Sequence, residues 1–363
     1  MKKIMYLQHV PWSWIKQRPH FLAEALSDDF EVDVYYKKGY INKVDNHTNK
    51  VKLMEFFSLP FSRYQTILKI NNWLMSKHLS RKIKKYDIIW ICDPRTYTFI
   101  AQYITENQVL VFDCMDDLAE FPSVKNDPNI YMQQEKKLLD RCNYVLVSSN
   151  FLGDILQSRH GHVYKEKISV INNAISTEKI MEFNKILPME KNDIRADKRK
   201  IITYIGTISS WFDFSIILKS LEIEENIVYY LYGPKDITIP NHERIIYKGI
   251  LEHGQVFSAM EQSDMLVMPF QLTKLVLSVD PVKLYEYIFS NKPIAAIRYG
   301  ETEKFKDYVY LYTDTEQYLD IINRLVKNTL FPPKATAEIQ SFLLNNTWNH
   351  RMKEIVSLLK MEE

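Results

Sequence analysis

Apolar runs of strand length alternate with longer helical stretches along almost the whole chain, and one polar stretch breaks the alternation in two. Strands that alternate with helices specify a parallel sheet covered on both faces. The first series predicts strands at Ile4–Gln8, Glu31–Tyr36, near Val51–Phe57, Asp87–Cys92, Val109–Asp113, Tyr144–Ser148 and Ile168–Ile171. Helices are expected at about Ile15–Leu26, Tyr64–Lys84, after Arg95, around Tyr131–Asn143 and at Phe151–Ser158. The polar stretch Glu190–Lys200 reads as a linker. The second series predicts strands at Ile201–Ile205, Ile227–Tyr232, Ile245–Tyr247, Met265–Phe270 and Pro293–Ile297. Its helices fall at Phe214–Leu221, Gly254–Gln262, from Pro281, and near Thr315–Lys327. A chain of 363 residues is long enough for two domains of ordinary size. The expected fold class is α/β: two Rossmann-like domains facing a central cleft. Residues 1–180 would form the first, joined by a C-terminal helix at about 340–363 that crosses back, and residues 181–339 the second.

The stretch Ser278–Pro293, SVDPVKLYEYIFSNKP, lies between two of the second-series strands. A loop is expected after Phe270, then a helix with Pro281, Val282 and Lys283 in its first turn, capped by Ser278 or Asp280. In open α/β sheets ligands bind at the carboxyl ends of strands, where helix N-termini present free N–H groups. Lys283 adds a positive charge there, and Glu286, one turn on, lies on nearly the same face. A cation at a helix start suits a diphosphate, and a carboxylate suits two vicinal hydroxyls. An ordinary exposed i,i+3 pair is the competing reading.

Other strand ends carry candidates. His9, Trp12, Trp14, Lys16, Arg18 and His20 cluster after the first strand. Aromatic faces there would stack on sugar rings and Arg18 would grip phosphate or carboxylate, or the tryptophans would staple the following helix. Asp93 ends the fourth strand, and Asp116 and Asp117 follow the fifth. Each is a general-base candidate for a hydroxyl that loses its proton as it attacks, or a helix cap. Gly206, with Thr207 and Ser209, is placed to floor a diphosphate site; Asp213 reads equally as a cap. Tyr232-Gly233 and Lys248-Gly249 would frame a base, or are simple turns.

Bulk properties exclude several classes. At 46% hydrophobic and 25% charged residues the chain is globular, and eight glycines argue against a glycine-rich phosphate loop. No apolar run reaches transmembrane length, and the first residues turn polar too early for a signal peptide. Three scattered cysteines suggest a reduced, cytoplasmic protein and not a disulfide framework. No H-E-x-x-H, C-x-x-C, D-x-D, G-x-S-x-G or G-x-G-x-x-G occurs, so neither a metal, a hydrolase triad nor a dinucleotide cofactor is expected. Net charge is +2, yet residues 1–85 hold about 16 Lys and Arg against about 7 Asp and Glu. Part of that excess borders the apolar stripe of the helix expected at Tyr64–Lys84. An anionic membrane surface is the expected contact, with a core helix bearing a solvated basic end as the competing reading; nucleic acid is not expected.

Four stretches, WSWIKQRPHFLAEAL, DCMDDLAEF, YIGTISSWFDF and MPFQLTKLVLSVDPVKLYEYIFSNKPI, occur in an order that resembles the two-domain GT-B glycosyltransferases of bacterial polysaccharide synthesis, such as the teichuronic acid enzymes. The last stretch also resembles the xanthan glucuronosyltransferase pattern, which implies that Lys283 contacts the nucleotide diphosphate. Glu286 matches the second glutamate of the E-x7-E motif of the retaining family-four enzymes, which holds the ribose. The first glutamate would fall at Ser278 and is missing. The basic residues those enzymes place after the first strand of the second domain are absent from Gly206–Leu218, and Trp12–Arg18 replaces their glycine-rich loop.

The resemblance implies transfer from a nucleotide-diphosphate sugar, a UDP-sugar in kind, to a lipid-linked or membrane-associated glycan in cell-surface polysaccharide synthesis. The donor set would be Gly206, Thr207, Tyr232, Gly233, Lys248, Ser278, Val282, Lys283, Leu284 and Glu286. The acceptor set would be His9, Trp12, Trp14 and Arg18. Asp116 is the first choice for base and Asp93 the second, with Lys283 assisting departure of the diphosphate. No cofactor beyond the donor is implied, and the expected location is the inner face of the cell membrane. A nucleotide-sugar epimerase or hydrolase of the same fold, and a non-catalytic binding subunit, are the alternatives.

Overall fold

The computed structural model describes residues 1–14, 16–37, 48–60, 64–121, 124, 127–177, 180, 198–251 and 255–360. The chain divides into two compact units, Met1–Asn172 with the segment from Trp348 onward, and Asn173–Thr347. The boundaries therefore fall at 172/173 and 347/348, where 180/181 and 339/340 were expected. Hydrogen bonds explain the earlier first boundary. The Asn173 N–H donates to the Asp280 carboxylate at 2.5 Å, and the Ile175 N–H to the Asn346 carbonyl at 3.0 Å. Most of the expected linker, residues 190–197, lies outside the described residues, as do Ile15 and Gly254, each expected to open a helix.

The first unit is a seven-stranded parallel sheet in the order β3-β2-β1-β4-β5-β6-β7. The strands are β1 (Lys3–Leu7), β2 (Glu31–Lys37), β3 (Lys52–Phe56), β4 (Ile88–Ile91), β5 (Val109–Cys114), β6 (Tyr144–Val147) and β7 (Ile168–Val170). Ile4, Met5, Tyr6, Ile89, Trp90 and Val111 are fully buried, as continuous apolar strands require when both faces are covered. The order reverses between β1 and β4. The covering helices are α1 (Arg18–Leu26), α2 (Gln65–Ser80), α3 (Pro94–Ile100), α4 (Pro128–Arg141) and α5 (Asn150–His160). Prolines in the first turns of α1, α3 and α4 set their starts. This places the α1 start later than Ile15. α2 stops before Lys84, and Ile83–Lys85 is a separate 3₁₀ turn.

The second unit repeats the winding with six parallel strands in the order β10-β9-β8-β11-β12-β13. These are β8 (Lys200–Ile205), β9 (Ile227–Tyr232), β10 (Ile245–Gly249), β11 (Met265–Met268), β12 (Ile294–Ile297) and β13 (Tyr310–Tyr312). The three-residue edge strand β13 was not expected; so short a run carries no period of its own. The helices are α6 (Phe214–Ile223), α7 (Val256–Glu261), α8 (Lys274–Ser278), α9 (Val282–Phe289), α10 (Thr315–Val326) and α11 (Thr336–Leu344). α8 occupies what was expected as loop, with the Thr273 hydroxyl accepting from the Val276 N–H at 3.3 Å. Where one C-terminal helix was expected from about residue 340, there are two. The second, α12 (Trp348–Lys360), belongs to the first unit, where the Trp348 ring stacks on Phe21 of α1 with centroids 5.4 Å apart.

Candidate active site

In the second unit the strand order reverses between β8 and β11, and a crevice for a ligand opens at such a point in open α/β sheets. The chain leaves β8 at Gly206 and β9 at Gly233, and the two turns touch. The Gly206 N–H donates to the Tyr232 carbonyl at 2.9 Å, and the Gly233 N–H to the Gly249 carbonyl at 2.8 Å. A Cβ on Gly233, whose φ is +128°, would lie 2.1 Å from the Gly206 carbonyl oxygen. Only glycine fits there.

Lys283 enters from the first turn of α9. Its ammonium is 3.3 Å from the Tyr204 hydroxyl, 4.9 Å from the centroid of that ring and 4.6 Å from that of Phe270. A Cβ added to Gly206 would sit 3.0 Å from the same ammonium. The charge therefore stands directly at the β8 turn. Burial pushes the Lys283 pKa down to about 8, against the raising effect of the Glu286 carboxylate. Tyr204 and Phe270 were read in the sequence only as strand residues. Aromatic residues at strand ends look like core, and nothing in the spacing shows that both rings meet one lysine.

The remaining donor candidates separate. The N-cap of α9 is Pro281, so neither Ser278 nor Asp280 caps it. Ser278 is buried at the end of α8, where its hydroxyl donates to the Leu275 carbonyl at 2.7 Å. Asp280 is buried between the Asn173 N–H and the Lys304 ammonium, the latter at 2.6 Å. Leu284 is fully buried in the core and its N–H donates to the Pro281 carbonyl. Ser278 and Leu284 thus present no side chain to a ligand, a correction to their expected role. Val282 and Glu286 are half-buried on α9, and Thr207 and Tyr232 are half-buried at the ends of β8 and β9. The Thr207 carbonyl accepts from the Tyr204 hydroxyl at 2.8 Å. The β9–β10 register breaks between Tyr247 and Gly249, leaving Lys248 exposed with its ammonium 4.4 Å over the Tyr230 ring. Asp213 caps α6 through the Ser215 N–H, and the Ser209 hydroxyl is held by Asp236, so both are structural.

In the first unit the order reverses between β1 and β4, and the candidates sit just beyond β1, β4 and β5. His9 and Asp116 line one shallow depression with Met115, Leu118 and Tyr131. The Asp116 carboxylate makes no hydrogen bond among the described residues. Burial pushes its pKa up to about 6, with Arg18 opposing and Asp117 adding to the rise. Burial pushes His9 down, against the pull of Asp93. Asp93 is committed differently. It caps α3 through the Arg95 N–H at 2.9 Å and holds the Arg95 guanidinium at 2.6–3.0 Å. Burial alone would raise the Asp93 pKa, but the Arg95 charge and hydrogen bonds hold it below the usual range. It is a structural carboxylate and a poor base.

Two acceptor candidates are corrected. Arg18 is fully buried, pairs with the equally buried Asp113 at 2.9 Å, and donates to the Ile171 carbonyl at 2.5 Å. Trp12 is 3% exposed and packs on His20 and Tyr36, with centroids 4.9 and 6.5 Å away. Both hold the β1–α1 connection and neither faces a ligand. Trp14 and His9 remain half-buried.

Helix α2 buries Met75 and Leu79 but leaves Ile70 and Trp73 on its surface, Trp73 55% exposed with the Lys77 ammonium 4.4 Å over its ring. Phe57, 68% exposed, lies on the segment that Asn71 of α2 holds through both polar groups of the Leu59 backbone. Among the described residues no helix is long and apolar enough to cross a membrane, and no group of three or more His, Cys, Asp or Glu is placed to hold a metal ion.

No family model matches the chain. It is 23% identical over 251 residues to a Bacillus subtilis strain 168 protein whose name assigns it to teichuronic acid biosynthesis as a glycosyltransferase, TuaH. That match covers 64% of this chain, and the chain spans 61% of the relative's length. Among solved structures, sucrose-phosphate synthase from Thermosynechococcus elongatus superposes with a TM-score of 0.73 at 12% identity, covering 100% of this chain and 99% of its own. Anabaena Alr3699/HepE, solved with UDP and glucose, gives 0.69 at 13% identity, covering 99% and 100%. A variant of S. aureus TarM, solved with fondaparinux, α-GlcNAc-glycerol and UDP, gives 0.69 at 12% identity over the same shares. The fold is the two-domain, Rossmann-like GT-B arrangement, and the chain resembles the teichuronic acid enzyme in sequence.

Proposed function

We propose that this chain is a glycosyltransferase that uses a nucleotide-diphosphate sugar, with UDP as the nucleotide and no resident cofactor. The observation that carries the reading is the Lys283 ammonium, desolvated between the Tyr204 and Phe270 rings at the strand-order reversal and against Gly206. In that place a cation and the free N–H groups of the α9 start stabilise charge that develops on a departing diphosphate. Glu286, one turn along α9, is assigned to the ribose hydroxyls. The UDP complexes of Alr3699/HepE and TarM, which share the fold, support the choice of nucleotide.

Asp116 is assigned as the base that takes the proton of the attacking acceptor hydroxyl. It is half-buried, its carboxylate makes no hydrogen bond among the described residues, and burial pushes its pKa up to about 6. Asp93, tied to Arg95, is not. The acceptor is assigned to the class of lipid-linked or membrane-associated glycans of cell-surface polysaccharide synthesis, with the protein at the inner membrane face. The name of the Bacillus subtilis relative supports that class, and so does the exposed Ile70–Trp73 face of α2 with Lys69 and Lys77 beside it.

The test is thermal stabilisation by UDP, GDP, ADP and CMP, with Lys283→Ala and Glu286→Ala alongside. At a hundred times its dissociation constant a ligand of the native state adds about 2.7 kcal/mol. Stabilisation of the wild type by UDP, and of neither variant, supports the assignment. No stabilisation by any of them overturns it.

A further inference from the structure

Four ionisable side chains form a buried network beneath the Asp116 turn. Asp117 is 3% exposed and Glu135, on α4, is 1% exposed. The Arg159 guanidinium of α5 joins them: one terminal nitrogen donates to both Asp117 oxygens at 2.9 and 2.8 Å, the other to Glu135 at 2.9 Å. His160 Nε2 lies 2.7 Å from the same Glu135 oxygen. Asp117 in turn accepts from the Ala119 N–H at 3.3 Å and opens the 3₁₀ turn Leu118–Glu120. The Ser148 hydroxyl, beyond β6, holds the Met115 carbonyl at 2.6 Å. Met115, Asp116 and Asp117 are therefore clamped on both sides, and of the two carboxylates only Asp117 is committed to a partner among the described residues.

We infer that Arg159 is the positioning residue for Asp116: it fixes the turn that presents this carboxylate and cancels the negative charge of its neighbour Asp117. The inference rests on the assignment of Asp116 as base, and it goes beyond that assignment by naming what sets its ionisation. Two adjacent carboxylates repel, so an uncancelled Asp117 charge would raise the pH at which Asp116 loses its proton. Burial pushes Asp117 up and Arg159 pulls it back. The other groups that face Asp116 are neutral or distant in effect. His9 beyond β1, Cys92 beyond β4, Cys114 on β5 and Tyr131 on α4 line its depression, and burial disfavours the charged form of each. Arg18 of α1 lowers Asp116 but is itself paired with Asp113. The Asp117–Arg159 pair is thus the adjustable charge.

The experiment follows the Asp116 carboxyl carbon by ¹³C NMR in protein labelled at aspartate, its signal assigned by loss in Asp116→Asn, across pH 4–8.5. Wild type is compared with Arg159→Gln, Arg159→Lys and Asp117→Asn, and the acid limb of turnover is recorded for each. The midpoint is expected to rise by about half a unit or more in Arg159→Gln, to stay near wild type in Arg159→Lys, and to fall in Asp117→Asn. Opposite shifts from two changes in one ion pair are what charge tuning requires and what general loosening of the turn does not produce. A midpoint unmoved in folded Arg159→Gln, or moved upward in Asp117→Asn, overturns the inference. Should Arg159→Gln fail to fold, Asp117→Asn decides alone: a fall supports the inference and any other result overturns it. If the midpoints shift as expected while the acid limb of turnover does not follow, Asp116 is not the base; that result removes the reaction assignment and leaves the role of Arg159 in setting Asp116 in place.

Discussion

The Lys283 ammonium lies 4.9 Å from the centroid of the Tyr204 ring and 3.3 Å from its hydroxyl, so one residue of β8 holds the cation by its face and its edge together. A ring face attracts a cation without neutralising it. The charge stays available to an incoming anion, and the cost is its desolvation, visible as the fall of its pKa to about 8.

That fall gives a prediction with a sign. The folded-state pKa lies below the ordinary lysine value, so the folded protein carries a penalty for the charge below pH 8, relieved as pH rises from about 8 to 10.5. Lys283→Met should therefore be at least as stable as wild type at pH 7, by denaturant unfolding. UDP binding should behave the opposite way. It should be strong at pH 7 in wild type, weaken as the pH passes 8, and be flat and about 2 kcal/mol weaker in Lys283→Met. Calorimetric titration at pH 7 and 9.5 measures both; equal affinity of the two proteins at pH 7 removes Lys283 from the phosphate site.

Gly233 supports a second prediction through backbone packing alone. A methyl at this position would meet the Gly206 carbonyl at 2.1 Å, and the contact is with backbone that has no rotamer to change. Gly233→Ala should cost about 3 kcal/mol, overpacking and an unfavourable φ acting together, and should abolish nucleotide stabilisation. Gly161 is the control. Its φ is +106° with nothing within 4 Å of an added Cβ, so Gly161→Ala should cost about 1 kcal/mol and leave nucleotide stabilisation intact. Unfolding midpoints of the two variants distinguish the contributions.

The winding of both sheets was legible because most strands are apolar runs and most connections carry a helix, and local patterns report such alternation directly. The placement of Lys283 was legible for the same reason: it follows a strand and opens a helix. What was not legible depended on partners far away in sequence. Arg18 looked like an exposed cation because it stands among polar and aromatic residues; its partner Asp113 is 95 residues on, and only the fold buries them together. Trp12 looked like a sugar platform until Tyr36 and His20 closed over it. Asp93 and Asp116 look alike as carboxylates at strand ends. The Arg95 side chain, two residues from Asp93, separates them only through its rotamer. The buried network of Asp117, Glu135, Arg159 and His160 was invisible as a unit, since its members come from a turn and two helices.

The two aspartates give a third prediction. Asp116→Asn should lower turnover by about 10²–10⁴-fold while leaving UDP stabilisation unchanged, because the residue belongs to the first unit and the nucleotide is assigned to the second. In wild type the rate should rise with pH through about 6, as the buried carboxyl loses its proton. Asp93→Asn should do neither. It should cost about 1–2 kcal/mol of stability through the weakened α3 cap and the lost Arg95 pair, with the acid limb of the rate unchanged. A loss of turnover in folded Asp93→Asn as large as that in Asp116→Asn would reverse the assignment.

The Arg18–Asp113 pair carries the last prediction, on stability alone. Both side chains are fully buried, and Arg18 also donates to the Ile171 carbonyl, so it ties α1 to β5 and to the segment leaving β7. Arg18→Leu leaves Asp113 charged in an apolar surrounding, or forces it to take up a proton. Breaking one side of such a pair costs about 3–5 kcal/mol. Arg18→Leu combined with Asp113→Leu removes both desolvation penalties and should recover most of that loss. Chemical denaturation of the two singles and the double closes the cycle. A double variant no more stable than Arg18→Leu would mean that the guanidinium acts chiefly through the Ile171 carbonyl, and that the α1 connection, with Trp12 packed inside it, is held from the β7 side of the sheet.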